Sequence, residues 1–316
     1  MTTRDLADGS WSRVLAPAKV NLRLDVLGRR EDGFHGLETL MLAVGLYDEV
    51  AARRHTGTGL RLTVAGEFAS GDVPCDERNL AWQSGQAALE QLQPGAGIEL
   101  VLVKNIPSRA GLGGASSDAA AALLAVELAL GGSLDAAWKN EFLGRLGSDC
   151  VFFEEARSTG LAWCEGRGEK VQPLVQEADD WTIALVTPAA ECPTAAVFGA
   201  LEFPLSAPFA RPTVPQMIRT PAAAVRSWLF NHLESAAQAA VPEMTTWREA
   251  LDAAGADHFR LSGSGSSYFG VFASKEEAGA TLDAIRKSAA DRQLGIRGTW
   301  VTGPAHSGIR TLQGDH

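Results

Sequence analysis

Three glycines lie in a short polar stretch whose composition suits the binding of an anion. The stretch covers residues 107–118 (PSRAGLGGASSD), follows the strand-like run 98–103 and leads into the alanine-rich run 119–130. Glycines let backbone N–H groups point toward one spot without obstruction by Cβ atoms, and the first turn of a helix adds unpaired N–H groups and the positive end of its dipole. The stretch therefore predicts a phosphate site, most simply for a nucleotide. An ordinary tight turn, with Ser116 or Ser117 capping the helix, stays open as an alternative.

The loop fits neither of the two common nucleotide fingerprints. It lacks the Gly-x4-Gly-Lys-Ser/Thr pattern of a P-loop. A dinucleotide fingerprint would need a third glycine where Ser116 stands and an acidic residue about 20 residues further on. The phosphate site predicted here is therefore of another kind.

Groups that could position or polarise a reacting hydroxyl occur at two other places in the chain. Lys19 and Asn21 lie on an otherwise apolar strand-like run, and Asp149 stands among small and apolar residues after a predicted helix. A carboxylate beside a lysine can orient a hydroxyl and accept its proton. Simpler roles stay open: Lys19 as a solvated charge at a strand start, Asn21 as a turn residue and Asp149 as a helix cap.

Hydrophobic periodicity predicts mixed α and β structure throughout the chain. In the first half it predicts strands at 13–15, 20–26, 40–46, 49–52, 60–64 and 98–103, and helices at 80–91, 116–130 and 138–146. In the second half it predicts strands at 160–164, 181–187, 259–262, 268–272 and 298–302, and helices at 194–201, 214–218, 222–230, 244–254 and 275–288. The proline-rich span 203–215 is predicted to be an exposed connection.

Composition limits the classes of partner. A chain of 316 residues with 46% hydrophobic content can bury two medium-sized cores, and no run approaches the length of a membrane span. The formal charge of −10 argues against nucleic acid and anionic membranes as partners, so a small-molecule substrate is expected. The polar, acidic residues 1–10 do not resemble a signal peptide, which predicts a cytoplasmic protein. The four cysteines show no Cys-x-x-Cys spacing and are expected to be reduced packing thiols: Cys75, Cys150, Cys164 and Cys192.

Taken in chain order, these motifs resemble those of the GHMP kinases. The matching runs are PAKVN at 17–21, the glycine loop, GSD at 147–149 and LSGSG at 261–265. The run GRREDGFH at 28–35 is absent from most of that superfamily and is similar to an element of the diphosphocytidyl-methylerythritol kinases. Further similar runs lie at 76–80, 166–169 and 231–234, so the resemblance covers nearly the whole chain. One departure lies beside Asp149, where Val151 stands in place of the family's proline.

The resemblance implies the two-domain α+β GHMP kinase fold. It implies a ribosomal-protein-like N-terminal domain that binds ATP over residues 1–172, with the tail 303–316 as a candidate addition to it. It implies a ferredoxin-like C-terminal substrate domain over residues 173–302. The active site is then expected between the two domains.

The resemblance also implies roles for individual residues. Lys19 and Asp149 would be catalytic. The ATP site would comprise Asn79 and Lys104 near adenine, together with the loop residues Pro107, Gly111, Leu112, Gly113, Gly114, Ser116 and Ser117. The substrate site would comprise Asn21 together with Phe34, His35 and Phe198, whose rings suit a flat pyrimidine. Mg²⁺ would bridge the triphosphate, and no protein ligand for it is predicted.

The activity implied is ATP-dependent phosphorylation, in one in-line step, of the 2-hydroxyl of a diphosphocytidyl-linked methylerythritol. That reaction belongs to the non-mevalonate route to isoprenoids. Two alternatives stay open: another GHMP kinase that acts on homoserine, mevalonate or a sugar, and a catalytically silent protein that senses a nucleotide or metabolite. The protein is expected to be a monomer or a homodimer.

Overall fold

The structure is a computed structural model in which residue 6 and residues 9–69, 73–203, 205 and 212–312 are described. Most of the proline-rich connection predicted at 203–215 lies outside the described residues. Among those described, no helix combines the length and the apolar character needed to cross a membrane.

Two long antiparallel strands, β1 (Ser12–Arg29) and β2 (His35–His55), form the centre of the first sheet. Where the sequence predicts two strands in each segment, the structure has one continuous strand. The pairing is interrupted by register shifts at Pro17/Ala18, Asn21/Arg23 and Val26/Gly28. Such irregularities bend a strand without ending it, which explains why the predicted breaks do not separate strands.

The remaining strands of the first sheet come from distant parts of the chain. Their bounds are β3 Gly59–Ala65, β4 Gly97–Val103, β5 Leu161–Gly166, β6 Lys170–Leu174, β8 Phe230–Asn231 and β12 Arg310–Thr311. Four of them add to β2 or to each other, through the pairings β2–β4–β3 and β2–β5–β6. The two short strands from late in the chain, β8 and β12, pair with β1.

The described residues of the first half form four helices: α1 Leu80–Leu92, α2 Gly114–Leu130, α3 Ala136–Leu146 and α4 Ser148–Glu155. Helix α2 lies in the core of this half, against β1, β2 and α1. Residues 117–127 are buried on every side, which the small alanine side chains permit because they let neighbouring elements approach closely. This burial fixes the start of α2 firmly beneath the glycine loop.

The second sheet is antiparallel and belongs to the second half of the chain. Its strands in the described residues are β7 Thr182–Pro188, β9 Arg260–Leu261, β10 Tyr268–Phe272 and β11 Ile296–Thr302, in the order β11–β7–β10–β9. Its helices are α5 Thr194–Gly199, α6 Val214–Arg219, α7 Ala222–Val225, α8 Leu233–Ala240, α9 Glu243–Ala253 and α10 Lys275–Asp291. A separate apolar cluster around Trp247, Phe259 and Tyr268 forms the core of this half.

One predicted helix is wrong at its C-terminal end. The prediction of a helix over 222–230 holds only for α7, and Phe230 lies in β8, parallel to β1. Asn231 explains the change, because its amide donates hydrogen bonds to the carbonyl oxygens of Leu261 and Gly263, at 2.8 Å each. These long-range contacts outweigh the local helical pattern. The short helices α4 and α8 and the short strands β6 and β12 were not predicted.

The two halves pack on a shared apolar cluster that includes Leu112 of the glycine loop, Trp181 and Phe269. The tail returns to the first sheet, because β12 pairs with β1 and Pro304 bridges to Val44 of β2. The proposed domain limits at 172/173 and 302/303 stay predictions, and β6 runs across the first of them.

The cysteines agree with the prediction of packing thiols at three of four positions. Cys150, Cys164 and Cys192 are buried and free, whereas Cys75 is exposed. Burial raises the pKa of the Cys150 thiol to about 12, with Ser116 opposing the rise by hydrogen bonding, so this thiol is inert at neutral pH.

Candidate active site

The glycine loop connects β4 to α2 and presents the start of that helix to an open cleft. Gly111 and Gly113 adopt left-handed backbone conformations, with φ of 73° and 70°. A Cβ atom on Gly111 would lie 2.2 Å from the carbonyl oxygen of Ser262, and one on Gly113 would lie 2.9 Å from Cγ of Lys19. No side chain caps α2. Its first backbone N–H groups are therefore available to an anion.

A buried ion cluster stabilises the start of the glycine loop. The ammonium group of Lys104 pairs with the carboxylates of Asp48 and Asp118, the latter at 2.7 Å. Asp48 also accepts hydrogen bonds from the backbone N–H groups of Asn105 and Ile106, at 2.5 and 2.8 Å. Burial opposes the charge on Lys104, but the two carboxylates raise its pKa overall. The cluster thus fixes the chain where β4 ends and the loop begins.

This arrangement gives Lys104 a structural role. The family resemblance implies Lys104 near adenine, but its side chain is only 3% exposed and its ammonium group is enclosed by carboxylates. A Cβ atom on Gly114 would lie 3.3 Å from Nζ of Lys104, so the side chain supports the loop, and its place near adenine stays a prediction. Asn79 is similarly enclosed: its amide caps α1 by accepting from the N–H of Ala81 at 2.9 Å, and it donates to the carbonyl of Pro74 at 2.7 Å.

A second glycine turn, residues 261–265 in the other half of the chain, contacts the glycine loop. The Ser262 hydroxyl donates to the carbonyl oxygen of Gly111 at 2.9 Å, and the N–H of Ser267 donates to the carbonyl of Ala110 at 3.0 Å. Gly263 lies against Lys19, because a Cβ atom there would be 3.3 Å from the lysine Nζ. The amide of Asn231 holds this turn in place, a role that the sequence analysis did not assign.

Lys19, Asn21 and Asp149 come together beside the loop. Nζ of Lys19 lies 3.3 Å from Oδ2 of Asp149 and donates to Oδ1 of Asn21 at 2.7 Å. The amide of Asn21 donates in turn to the hydroxyl of Thr39 at 2.9 Å, which fixes its orientation. Lys19 and Asn21 are buried, whereas the Asp149 side chain is 31% exposed. The carboxylate is thus held by a fixed cation and still reaches the cleft.

Asp149 occupies the first turn of α4, directly after Gly147 and Ser148. The positive end of a helix dipole stabilises a carboxylate at this place. Val151, which stands where relatives were expected to carry proline, is buried in the core of the first half. The helix forms with valine at that position, so the departure does not move Asp149 from the cleft.

Aromatic rings gather at the other end of the cleft. The His35 ring stacks with Phe198, with centroids 5.1 Å apart, and with Phe203, with centroids 6.0 Å apart. The Phe34 ring is 54% exposed, and the Arg167 guanidinium lies 4.8 Å from its centroid. Burial and the charge of Arg29 lower the pKa of His35, so the imidazole is neutral at pH 7 and can both donate and accept a hydrogen bond. Phe203 was not predicted as a site residue, because nothing in its local pattern marks it.

These groups line one cleft of about 1390 Å³ between the two halves. Of the predicted residues, it brings together Lys19, Asn21, Phe34, His35, Gly111, Gly113, Asp149 and Phe198. Its described lining includes five cationic side chains but only the carboxylates of Asp149 and Glu191: the cations are Lys19, Arg29, Arg109, Arg145 and Arg167. The cleft is therefore locally positive although the chain carries a net charge of −10.

Other predicted residues lie around or behind the loop. Pro107, Leu112 and Ser117 are buried, whereas Gly114 and Ser116 are partly exposed at the start of α2. The buried hydroxyl of Ser117 has no hydrogen-bond partner among the described residues. Their contacts with a nucleotide stay predictions.

Two family models match the chain. The model described as "GHMP kinases N terminal domain" matches residues 79–154, which include the glycine loop and Asp149. The model described as "GHMP kinases C terminal" matches residues 216–291, which include the second glycine turn.

Curated relatives match over most of the chain. The 4-diphosphocytidyl-2-C-methyl-D-erythritol kinase of Geobacter metallireducens is 38% identical over 273 residues, which is 86% of this chain and 93% of the relative. The kinase of the same name from Rhodopirellula baltica is 33% identical over 309 residues, covering 90% of this chain and 93% of the relative.

Solved structures also match over most of the chain. A crystal structure of 4-(cytidine 5'-diphospho)-2C-methyl-D-erythritol kinase superposes with a TM-score of 0.71 at 31% identity, covering 92% of this chain and 98% of that one. Homoserine kinase from Cytophaga hutchinsonii superposes with a TM-score of 0.69 at 21% identity, covering 96% and 98%. This last likeness shows a shared fold.

Proposed function

Because this chain belongs to the GHMP kinases, and among them to the 4-diphosphocytidyl-2-C-methyl-D-erythritol kinases, we propose that it phosphorylates the 2-hydroxyl of 4-diphosphocytidyl-2-C-methyl-D-erythritol with ATP. The observation that carries the proposal is a single cleft that joins the Lys19–Asp149 pair and the glycine loop to a set of aromatic rings. A triphosphate, a hydroxyl and a pyrimidine each have a suitable place along it.

The glycine loop binds the triphosphate. Gly111 and Gly113 allow the phosphate oxygens to approach the backbone, and the start of α2 donates its N–H groups to them. Lys104 and Asn79 fix the loop and the start of α1, and the adenine is expected near them. These contacts neutralise charge on the transferred phosphoryl group, which is the main need in this type of reaction.

The aromatic end of the cleft selects the cytosine. Phe34 and Phe198 offer ring faces to a planar base, and such stacking favours a pyrimidine over an aliphatic acceptor. The neutral imidazole of His35 can accept from the exocyclic amino group of cytosine or donate to its ring edge. This recognition distinguishes the proposed substrate from mevalonate, homoserine and sugars.

Asp149 and Lys19 act on the hydroxyl that receives the phosphoryl group. The exposed carboxylate of Asp149 accepts a hydrogen bond from the 2-hydroxyl, orients its oxygen in line with the triphosphate and takes up its proton. Nζ of Lys19 is held by Asn21 and donates to the same substrate oxygen. Because both groups are held in place by the fold, the entropy cost of bringing the reactants together is reduced.

Mg²⁺ is the expected cofactor, and the residues at the loop are compatible with it. Within the described residues no cluster of three or more acidic, histidine or cysteine side chains could hold the ion alone, so it would arrive with the triphosphate. The unpartnered hydroxyl of Ser117 is an oxygen donor of the kind that Mg²⁺ prefers. When bound, the ion would neutralise phosphate charge.

We further propose that residues 1–172 with 303–316 form the ATP-binding domain and 173–302 the substrate domain. The protein is expected to act in the cytoplasm as a monomer or homodimer, and light scattering on the purified chain would decide between these two states.

The experiment that tests the function measures ADP release from Mg·ATP with the diphosphocytidyl substrate, with mevalonate, homoserine and galactose in parallel. Turnover should be selective for the diphosphocytidyl substrate and should be lost in Asp149→Asn. Turnover of another acceptor instead would assign a different GHMP kinase activity. ATP binding without any turnover would point to a sensor.

A further inference from the structure

Arg109 is an unusual residue for its place in the glycine loop. Its φ of 53° lies in the left-handed region, where a residue with a Cβ atom is less stable than glycine. It stands two residues before Gly111, and its side chain lines the cleft. An arginine in a conformation that favours glycine marks this position as a candidate functional site.

The guanidinium of Arg109 has a weak partner on the opposite side of the cleft. Its Nη1 lies 3.3 Å from Oε2 of Glu191, and the two side chains are 65% and 43% exposed. Glu191 lies just before α5, the helix that carries Phe198. The pair therefore joins the phosphate loop to the segment that presents the aromatic ring. An exposed pair with one long contact contributes little stability and exchanges readily.

The backbone beside Arg109 is fixed, so the side chain can move while the loop stays in place. Arg297 of β11 donates from Nη1 to the carbonyl oxygen of Ser108 at 2.7 Å. On the other side, the carbonyl of Ala110 accepts from the N–H of Ser267 at 3.0 Å. The guanidinium thus projects from an anchored base.

Three of the four other cations in the described lining of the cleft have contacts elsewhere. Lys19 is held by Asn21 and Asp149. Arg145 pairs with Glu141 at 2.9 Å, and Arg167 stacks on Phe34. Arg109 therefore lies close to the loop glycines, and a phosphate could replace Glu191 as the partner of its guanidinium.

We propose that Arg109 binds a phosphate oxygen of the bound substrate and that Glu191 holds the guanidinium over the cleft until that phosphate arrives. This inference rests on the proposed function. The planar guanidinium can donate two parallel hydrogen bonds to a phosphate, whereas it makes only one contact with Glu191. The phosphate is therefore the stronger partner. The phosphate could belong to the triphosphate of ATP or to the diphosphate of the cytidine substrate, and the ligand chemistry is the same for both.

The test compares ligands with and without phosphate by isothermal titration calorimetry in Mg²⁺ buffer. The ligands are a non-hydrolysable ATP analogue, adenosine, CDP and cytidine. Arg109→Gly is the main variant because glycine suits the observed φ and should not impair folding. Arg109→Lys keeps the charge without the planar fork, and Glu191→Gln removes the competing carboxylate.

Arg109→Gly should weaken the binding of one phosphate ligand by about tenfold or more and leave its nucleoside within about twofold. A loss for the ATP analogue would place the contact on the triphosphate, and a loss for CDP would place it on the diphosphate. Arg109→Lys should recover only part of the affinity. Glu191→Gln should tighten the same ligand, and this gain should vanish in the double variant.

Unchanged affinity of Arg109→Gly for both phosphate ligands would overturn the inference while leaving the proposed function intact. If the wild-type protein binds neither phosphate ligand, the proposed function fails and the inference fails with it. A loss in Arg109→Gly without any gain in Glu191→Gln would contradict the role given to Glu191.

Discussion

The carbonyl oxygen of Ser262 lies 2.2 Å from the place where a Cβ atom on Gly111 would stand. The glycine loop of the first half and the glycine turn of the second half thus touch backbone to backbone. Any side chain on Gly111 must push these two segments apart, and with them the two sides of the cleft.

We expect Gly111→Ala to lower kcat/KM by more than tenfold and to destabilise the protein by about 2–4 kcal/mol, because the clash adds to the strain of a left-handed φ. Gly131→Ala is the matched control. Gly131 has a similar φ of 67° at the end of α2, but a Cβ atom placed there would meet no other atom within 4 Å. The control should lose only about 1 kcal/mol and keep its activity. Equal effects of the two changes in thermal denaturation and kinetics would contradict the argument.

Asp149→Asn should lower kcat by about 10²- to 10⁴-fold, because the amide cannot accept the proton of the hydroxyl. The affinity for an ATP analogue should stay within about twofold of the wild-type value, since the Asp149 side chain is placed at the acceptor hydroxyl and not at the nucleotide. Lys19→Met should also lower kcat, and the double variant should be scarcely worse than either single one if the pair acts as a unit. Single-turnover kinetics would measure this, and additive losses would show that the two residues act separately.

The affinity for the cytidine-bearing substrate should depend on pH through His35. Burial, assisted by Arg29, lowers the pKa of this imidazole below its usual 6.5, so the ring stays neutral as the pH falls to that value. KM should therefore be constant from about pH 8 to about pH 6.5 and rise only in more acidic solution. His35→Asn should weaken binding and remove the acidic rise. A rise in KM that begins above pH 7 would show that the imidazole is not depressed in this way.

Asp118 should make stability depend on pH. Burial raises the pKa of Asp118 well above its usual 3.8, with Lys104 opposing and Asp48 adding to the rise. Between 3.8 and the raised value, the native state holds a proton that the unfolded state has released. The contribution of Asp118 to the free energy of unfolding therefore falls as the pH rises through that window. Urea denaturation should show that the stability of Asp118→Asn, relative to that of the wild-type protein, rises with pH through that window.

The control for Asp118→Asn is Asp283→Asn, which alters a carboxylate that is 76% exposed on α10. This variant should keep the slope of the wild-type protein. The prediction would be wrong if the difference in stability between Asp118→Asn and the wild-type protein did not change with pH above about 4.

Local sequence was sufficient to predict the glycine loop, since its φ angles and helix start depend on residues within a few positions of each other. Residue types offered Lys19 and Asp149 as candidate partners, but no local pattern indicates that they meet, because the contact joins β1 to a helix far along the chain.

Contacts between distant residues account for what the sequence did not reveal. Lys104 looks like a surface cation at a strand end, but its position depends on Asp48, 56 residues earlier. The strand at Phe230 depends on β1, and the stacking of Phe203 on His35 depends on how the two halves meet. None of these pairings leaves a periodic trace in the chain.

The return of β12 to β1 has a consequence for how the protein is made. Val14 of β1 pairs with Thr311 of β12, so β1 is synthesised almost three hundred residues before this partner strand. Until then the edge of β1 presents unpaired backbone groups to other nascent chains. We therefore expect this edge of the first sheet to close late, and truncation before residue 310 to leave Val14 and Leu15 without these partners in the finished protein.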